Sequence, residues 1–170
     1  MKKSLLVVLV FLLFTGLVFA AGLSIGPSVL NSSGATLQQY VDDPSSAEFD
    51  PEDLFYGVEA RADFSLFQVS TNAYVAADGI ILAFVNAGVN IDLGPIGLGL
   101  TAGPNFLIVE NAEDAIEFGS NIKLAADLNL GGATVTGFFA GYVPDLEAFV
   151  EEPEFMNLYG WAGVSVLLNL

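Results

Sequence analysis

Residues 81–93 read Ile-Leu-Ala-Phe-Val-Asn-Ala-Gly-Val-Asn-Ile-Asp-Leu. One parity carries Ile81, Ala83, Val85, Ala87, Val89, Ile91 and Leu93. The other carries Asn86, Gly88, Asn90 and Asp92 at its C-terminal end. Strict alternation over so many residues is the mark of a β-strand with unlike faces, because successive side chains point to opposite sides of a pleated chain. A helix would have gathered its apolar residues at spacings of three and four.

The same period recurs along the chain. Tyr56, Val58, Ala60, Ala62, Phe64 and Leu66 alternate with Gly57, Glu59, Arg61, Asp63 and Ser65. Leu98, Leu100, Ala102, Pro104, Phe106 and Ile108 share a face, and Ile122, Leu124, Ala126, Leu128 and Leu130 stand opposite Asn121, Lys123, Asp127 and Asn129. The chain ends on Leu158, Gly160, Ala162, Val164, Val166, Leu168 and Leu170. Eight strands are expected, at about 23–31, 55–65, 68–77, 80–93, 96–109, 119–130, 133–143 and 157–170. Most exceed the usual ~5–6 residues of a globular strand and match the ~9–11 of a tilted membrane-crossing one.

Connections alternate in length. Short ones fall at 65–68, Gly94-Pro95 and Gly131-Gly132; long ones fall at 32–54, 110–118 and 144–156, with a tight Asp78-Gly79 turn as the exception. The acids follow this division. Sixteen of the twenty lie at the long-loop side, and Glu59, Asp63, Asp92 and Asp127 occupy strands, all on the polar parity. A weak internal repeat relates 23–30 to 100–107, 73–76 to 137–140 and 87–91 to 162–166, which suggests two four-stranded halves. Pro27 and Pro104 occupy matching places inside strands, where a closed sheet has no edge to host them, so a bulge or bend is expected at both.

The first twenty residues read differently. Lys2 and Lys3 precede an unbroken apolar run from Leu5 to Phe14, and Val18-Phe19-Ala20 offers small residues for cleavage. This is the pattern of a secretory signal peptide over 1–20, leaving 21–170 as one domain. An uncleaved anchor is the competing reading, but Gly22, Ser24, Gly26 and Pro27 suit a strand better.

Composition excludes several functions. The chain holds no Cys and no His, so it has neither a thiol nucleophile nor the commonest general base and metal ligand. A net charge of −16 argues against nucleic-acid binding, which needs cations against phosphate. No cofactor and no enzyme activity are expected.

The polar parity is mostly Gly, Ser, Thr and Asn. That would be a poor water-facing surface and is a good lumen filling, since an eight-stranded barrel is just wide enough for side chains. Placed outward, the apolar parity becomes a lipid-facing band. The expected fold is therefore all-β: an eight-stranded antiparallel up-and-down transmembrane β-barrel. A soluble periplasmic β-barrel that binds a ligand is the alternative, with its faces reversed.

On this topology and pattern, 21–170 resembles the small eight-stranded outer-membrane barrels of the OmpA/OmpX/OmpW type. The resemblance implies a bacterial outer-membrane location, lipid as surroundings and insertion by the barrel assembly machinery. That machinery reads an alternating last strand ending in an aromatic residue; here the alternation is kept but the last residue is Leu170.

Two constellations face inward by parity. Glu59, Arg61 and Asp63 on the second strand stand across the ring from Lys123 and Asp127 on the sixth, and would form an ion network plugging the lumen or gating an ion path. Tyr74, Phe84, Phe138, Tyr142, Tyr159 and Trp161 would pack the outer half of the lumen or form a cup for a small hydrophobic molecule. The acidic loops offer carboxylates to Ca²⁺ or Mg²⁺, most densely at Asp42, Asp43, Asp50, Glu52 and Asp53, though no EF-hand spacing is present. The leading expectation is a non-enzymatic barrel with a structural or surface-interaction role and a plugged lumen.

Overall fold

The structure is a computed structural model; it describes residues 22–31, 34–43, 54–76, 79–108, 116–143, 149, 151 and 154–170. The expected signal peptide and most of the long loops lie outside these residues.

The alternating segments all form strands. They are β1 (Gly22–Asn31), β3 (Leu54–Phe64), β4 (Phe67–Val75), β5 (Ile81–Asp92), β6 (Ile96–Ile108), β7 (Ile116–Asn129), β8 (Ala133–Val143) and β9 (Tyr159–Asn169). Each pairs antiparallel with the next, and β1 pairs with β9, closing an eight-stranded barrel. β2 (Ala35–Thr36) is a two-residue continuation along β9, pairing Ala35 with Gly160. After it comes α1 (Leu37–Asp42), and a 3-10 turn (Phe155–Asn157) precedes β9. These three small elements were not expected from the alternation.

The register fixes the barrel's shape. From Gly22, successive partners are Asp63, Gln68, Gly88, Thr101, Lys123, Ala140 and Trp161. Gly163 pairs with Leu30, so Trp161 stands at register position 32, ten residues beyond the start. With a rise of ~3.3 Å per residue and strands ~4.8 Å apart, this stagger tilts the strands by about 40°. An eleven-residue strand then climbs about 28 Å along the axis.

Two glycine–proline pairs bend this wall. The β1–β9 ladder runs from Ile25↔Leu168 to Ser28↔Ser165 without pairing Gly26 and Pro27. The β5–β6 ladder likewise skips Gly103 and Pro104. The residue count is equal on both strands across each gap, so nothing is inserted and each feature is a bend, not a bulge. A Cβ at Gly26 would overlap the Val166 carbonyl oxygen, and one at Gly103 the Val85 carbonyl oxygen. Only glycine lets the neighbouring backbone come that close. The lapse in pairing also spares a proline a ladder bond it has no N–H to make. β1 and β6 are four places apart in the ring, so the bends face each other.

Tight turns use left-handed residues where the chain reverses. Gly79, Gly94 and Gly131 have φ near +85°, and Ser65 takes φ of 59° without being glycine. Asp78, the expected partner of Gly79, lies outside the described residues.

The two faces are inverted relative to a water-soluble protein. Outside, Val58, Val69, Val85, Val89, Leu98, Leu100, Val166 and Leu168 are exposed. Inside, Glu59, Arg61, Gln68, Asn72, Asn86, Thr101, Lys123 and Asp127 are buried. Above this polar layer, towards the long loops, Leu30, Phe55, Tyr74, Leu82, Phe84, Phe138 and Ala140 form an apolar cluster. One outward stretch is covered: α1 lies on the outer wall, with the Tyr40 and Phe139 rings edge to face at 5.8 Å. Burial there pushes the Tyr40 hydroxyl above its ordinary pKa.

Candidate functional site

The lumen holds two stacked regions. The lower one is ionic. Inward parity on β3 puts Glu59 and Arg61 in the interior, and inward parity on β7 puts Lys123 and Asp127 there. β3 and β7 stand opposite in the ring, so long side chains meet across it.

Glu59 is the centre. Its Oε1 accepts from Lys123 Nζ at 2.9 Å and from Arg61 Nη2 at 3.1 Å. Its Oε2 accepts from Ser165 Oγ at 2.6 Å and Asn72 Nδ2 at 2.9 Å. Arg61 reaches on to Asp127 Oδ2 at 2.7 Å and Thr136 Oγ1 at 3.0 Å, and Thr136 donates to Asp127 Oδ1 at 2.7 Å. Lys123 also donates to Asn72 Oδ1 and sits 4.4 Å from the centre of the Phe138 ring. Two cations and two carboxylates balance, and their remaining lone pairs and protons are largely taken up by neutral side chains. A buried charge set persists only when paired and hydrogen-bonded in this way.

Four of the five expected network residues therefore meet. Asp63 does not join them: it lies one inward position below Arg61 and accepts from Gln68 Nε2 at 2.9 Å. The register explains this, because Asp63 pairs directly with Gln68. Parity alone missed Asn72, Thr136 and Ser165. Two of these are readable once register is known, since Asn72 pairs with Glu59 and Thr136 with Asp127.

The network ties into the aromatic layer through Tyr74. Its hydroxyl lies 2.8 Å from Ser28 Oγ and accepts from Asn72 Nδ2 at 3.0 Å. Tyr74, Phe84 and Phe138 are buried in the packed cluster rather than lining an open cup. The other three expected aromatics behave differently. Tyr142, Tyr159 and Trp161 line a cavity of about 250 Å³ at the long-loop end, with Leu82, Asn105, Leu107, Glu117 and Gly119. Trp161 leans on Phe84 at 6.1 Å and meets Tyr159 edge-on at 6.5 Å, so the packed layer forms the cup's support. A Cβ at Gly119 would press on both Tyr142 and the Asn105 amide, so the glycine keeps that wall open.

Several polar atoms along the β4–β7 side of the lumen have no hydrogen-bond partner among the described residues, including Ser70 Oγ, both amide atoms of Asn86, Thr101 Oγ1 and Asn105 Oδ1. Of the weak metal candidates, Asp42 ends α1 and Asp43 caps it, both exposed; Asp50, Glu52 and Asp53 lie outside the described residues. Among the described residues no group of three or more acidic side chains is placed to hold a metal ion, and no helix is long and apolar enough to cross a membrane.

Comparison with known protein families, curated proteins and solved structures finds no match. The fold and the site thus define the class from within: a closed eight-stranded antiparallel β-barrel with an apolar outer wall, an ion-plugged interior and an aromatic cup at one mouth.

Proposed function

We propose that this protein is an outer-membrane β-barrel with a non-enzymatic structural or surface-interaction role. The observation that carries the reading is the inversion of its faces. Valine and leucine are exposed around the wall, while Glu59, Arg61, Lys123 and Asp127 are buried within it. In water such a wall would be an aggregation surface; in lipid it is the solvated face. The climb of about 28 Å per strand fits the ~25 Å apolar band of such barrels. An interior filled by a charge-balanced network suits a plug rather than a pore. On this reading residues 1–20 direct export and are removed, the barrel assembly machinery inserts the chain, and the acidic loops face outward, where divalent cations are candidate partners.

Fractionation tests it. The protein is expected in the outer-membrane fraction, with faster gel mobility before heating than after. Recovery from the periplasm without detergent would overturn the reading in favour of a soluble barrel.

A second reading has its own observation, the cavity lined by Tyr142, Tyr159 and Trp161. It makes the barrel a receptor for small hydrophobic molecules entering from the loop side. Uptake or binding of such compounds should fall in Trp161→Ala; unchanged behaviour would reduce the cup to packing.

A further inference from the structure

We infer that the cup takes a small protonated amine carried on a hydrophobic body, an arylalkylammonium ion in chemical class. This rests on the reading of the cup as a binding site and specifies its ligand.

Three features of the cavity converge on that chemistry. Its walls are Leu82, Leu107, Tyr142, Tyr159 and Trp161, which offer apolar contact and aromatic faces. Aromatic faces attract a cation as well as a ring. Its volume, about 250 Å³, lies below the ~300–1,000 Å³ of clefts for drug-sized ligands, so the occupant is a single ring or short chain.

The second feature is Asn105. It is 5 % exposed, lines the cavity, and its Oδ1 has no partner among the described residues. A buried acceptor left unmade is costly, so it calls for a donor from the ligand or from water. An ammonium N–H supplies one; a carboxylate or an ether cannot.

Glu117 is the third. It lies on the inward parity of β7 at the cavity's mouth and brings a negative charge to it. The chain has four cations in all. Arg61 and Lys123 are bonded to Glu59 and Asp127 in the lumen below, and Lys2 and Lys3 stand at the far N-terminal end of the sequence. None of the described residues that line the cavity is cationic. A carboxylate at the mouth favours a cation over an anion there.

Trp161 is the sole tryptophan and lines the cavity, so its emission reports occupancy directly. The test titrates the folded protein, in a non-ionic detergent, with phenethylammonium, 2-phenylethanol, 3-phenylpropionate and trimethyl-phenethylammonium. Phenethylammonium is expected to change Trp161 emission with an affinity about tenfold above the alcohol, and the carboxylate to bind most weakly. The trimethyl ion, with no N–H for Asn105, should bind less well than the primary amine. Glu117→Gln should lower ammonium affinity about fivefold and leave the alcohol unchanged. Asn105→Ala should erase the preference for the primary over the trimethyl ion. Heat-dependent gel mobility confirms that each variant is folded. Equal affinity for amine and alcohol, unmoved by Glu117→Gln, would overturn the ammonium inference and leave a plain hydrophobic cup. No response of Trp161 to any of the four would overturn the cup as well.

Discussion

Glu59 does more than any other single residue to hold the interior together. Its carboxylate receives four donors from four different strands: Arg61 on its own strand, Asn72 on β4, Lys123 on β7 and Ser165 on β9. A carboxylate buried to 0 % exposure survives because every donor is aimed at it. Removing it leaves two cations in a low-dielectric interior with half their partners gone. Breaking one side of a buried ion set typically costs ~3–5 kcal/mol. Glu59→Ala is therefore expected to destabilise the folded barrel by about that much, read from urea unfolding followed by Trp161 emission. Glu59→Ala combined with Lys123→Met should recover part of the loss, because it removes one stranded charge. If the double variant is no more stable than the single one, Lys123 is paired adequately without Glu59.

At the scale of elements, the strands were legible in the sequence and the small structures at the rim were not. The period of two survives tertiary context because each strand has one polar and one apolar surroundings over its whole length. α1 has six residues, fewer than two helical turns, too short for a helical repeat to show in the sequence. It did carry a signal: Thr36 and Gln39 form a capping box, with the Thr36 hydroxyl accepting from the Gln39 N–H and the Gln39 amide oxygen accepting from the Thr36 N–H. Site residues divide the same way. Parity showed which side chains point inward, but height within the lumen depends on cross-strand register. Parity therefore cannot separate Asp63 from Arg61, or Tyr74, Phe84 and Phe138 from the residues of the open cup. The Gly-Pro bends are the most specific local feature the sequence displayed. Gly103→Ala should drive a methyl group into the Val85 carbonyl, and overpacking of this kind costs ~1–3 kcal/mol. Gly137→Ala meets nothing within 4 Å and serves as the matched strand control. Unfolding midpoints measured side by side should separate the two; equal midpoints would mean the bend absorbs a side chain freely.

For the whole molecule, the governing fact is which side of the wall is wet. A closed sheet has no edges, so it can sit in lipid with its ladder bonds made internally. What remains is the cost of each outward side chain. Val85 lies outward near the middle of β5 and is 45 % exposed. If that wall faces hydrocarbon, Val85→Arg places a charge close to the bilayer midplane, at ~2–4 kcal/mol. If the wall faces water, the same arginine is a surface substitution within about 0.5 kcal/mol of neutral. Leu130, just beyond the end of β7 at the short-turn rim, is the contrast position: a charge near the interface costs only ~0–1 kcal/mol in a membrane barrel. The membrane reading thus predicts a depth-dependent penalty, large for Val85→Arg and small for Leu130→Arg, in urea unfolding from lipid vesicles. Two small and equal penalties would show that the apolar wall is not solvated by lipid, and the inverted faces would then need a protein partner to cover them.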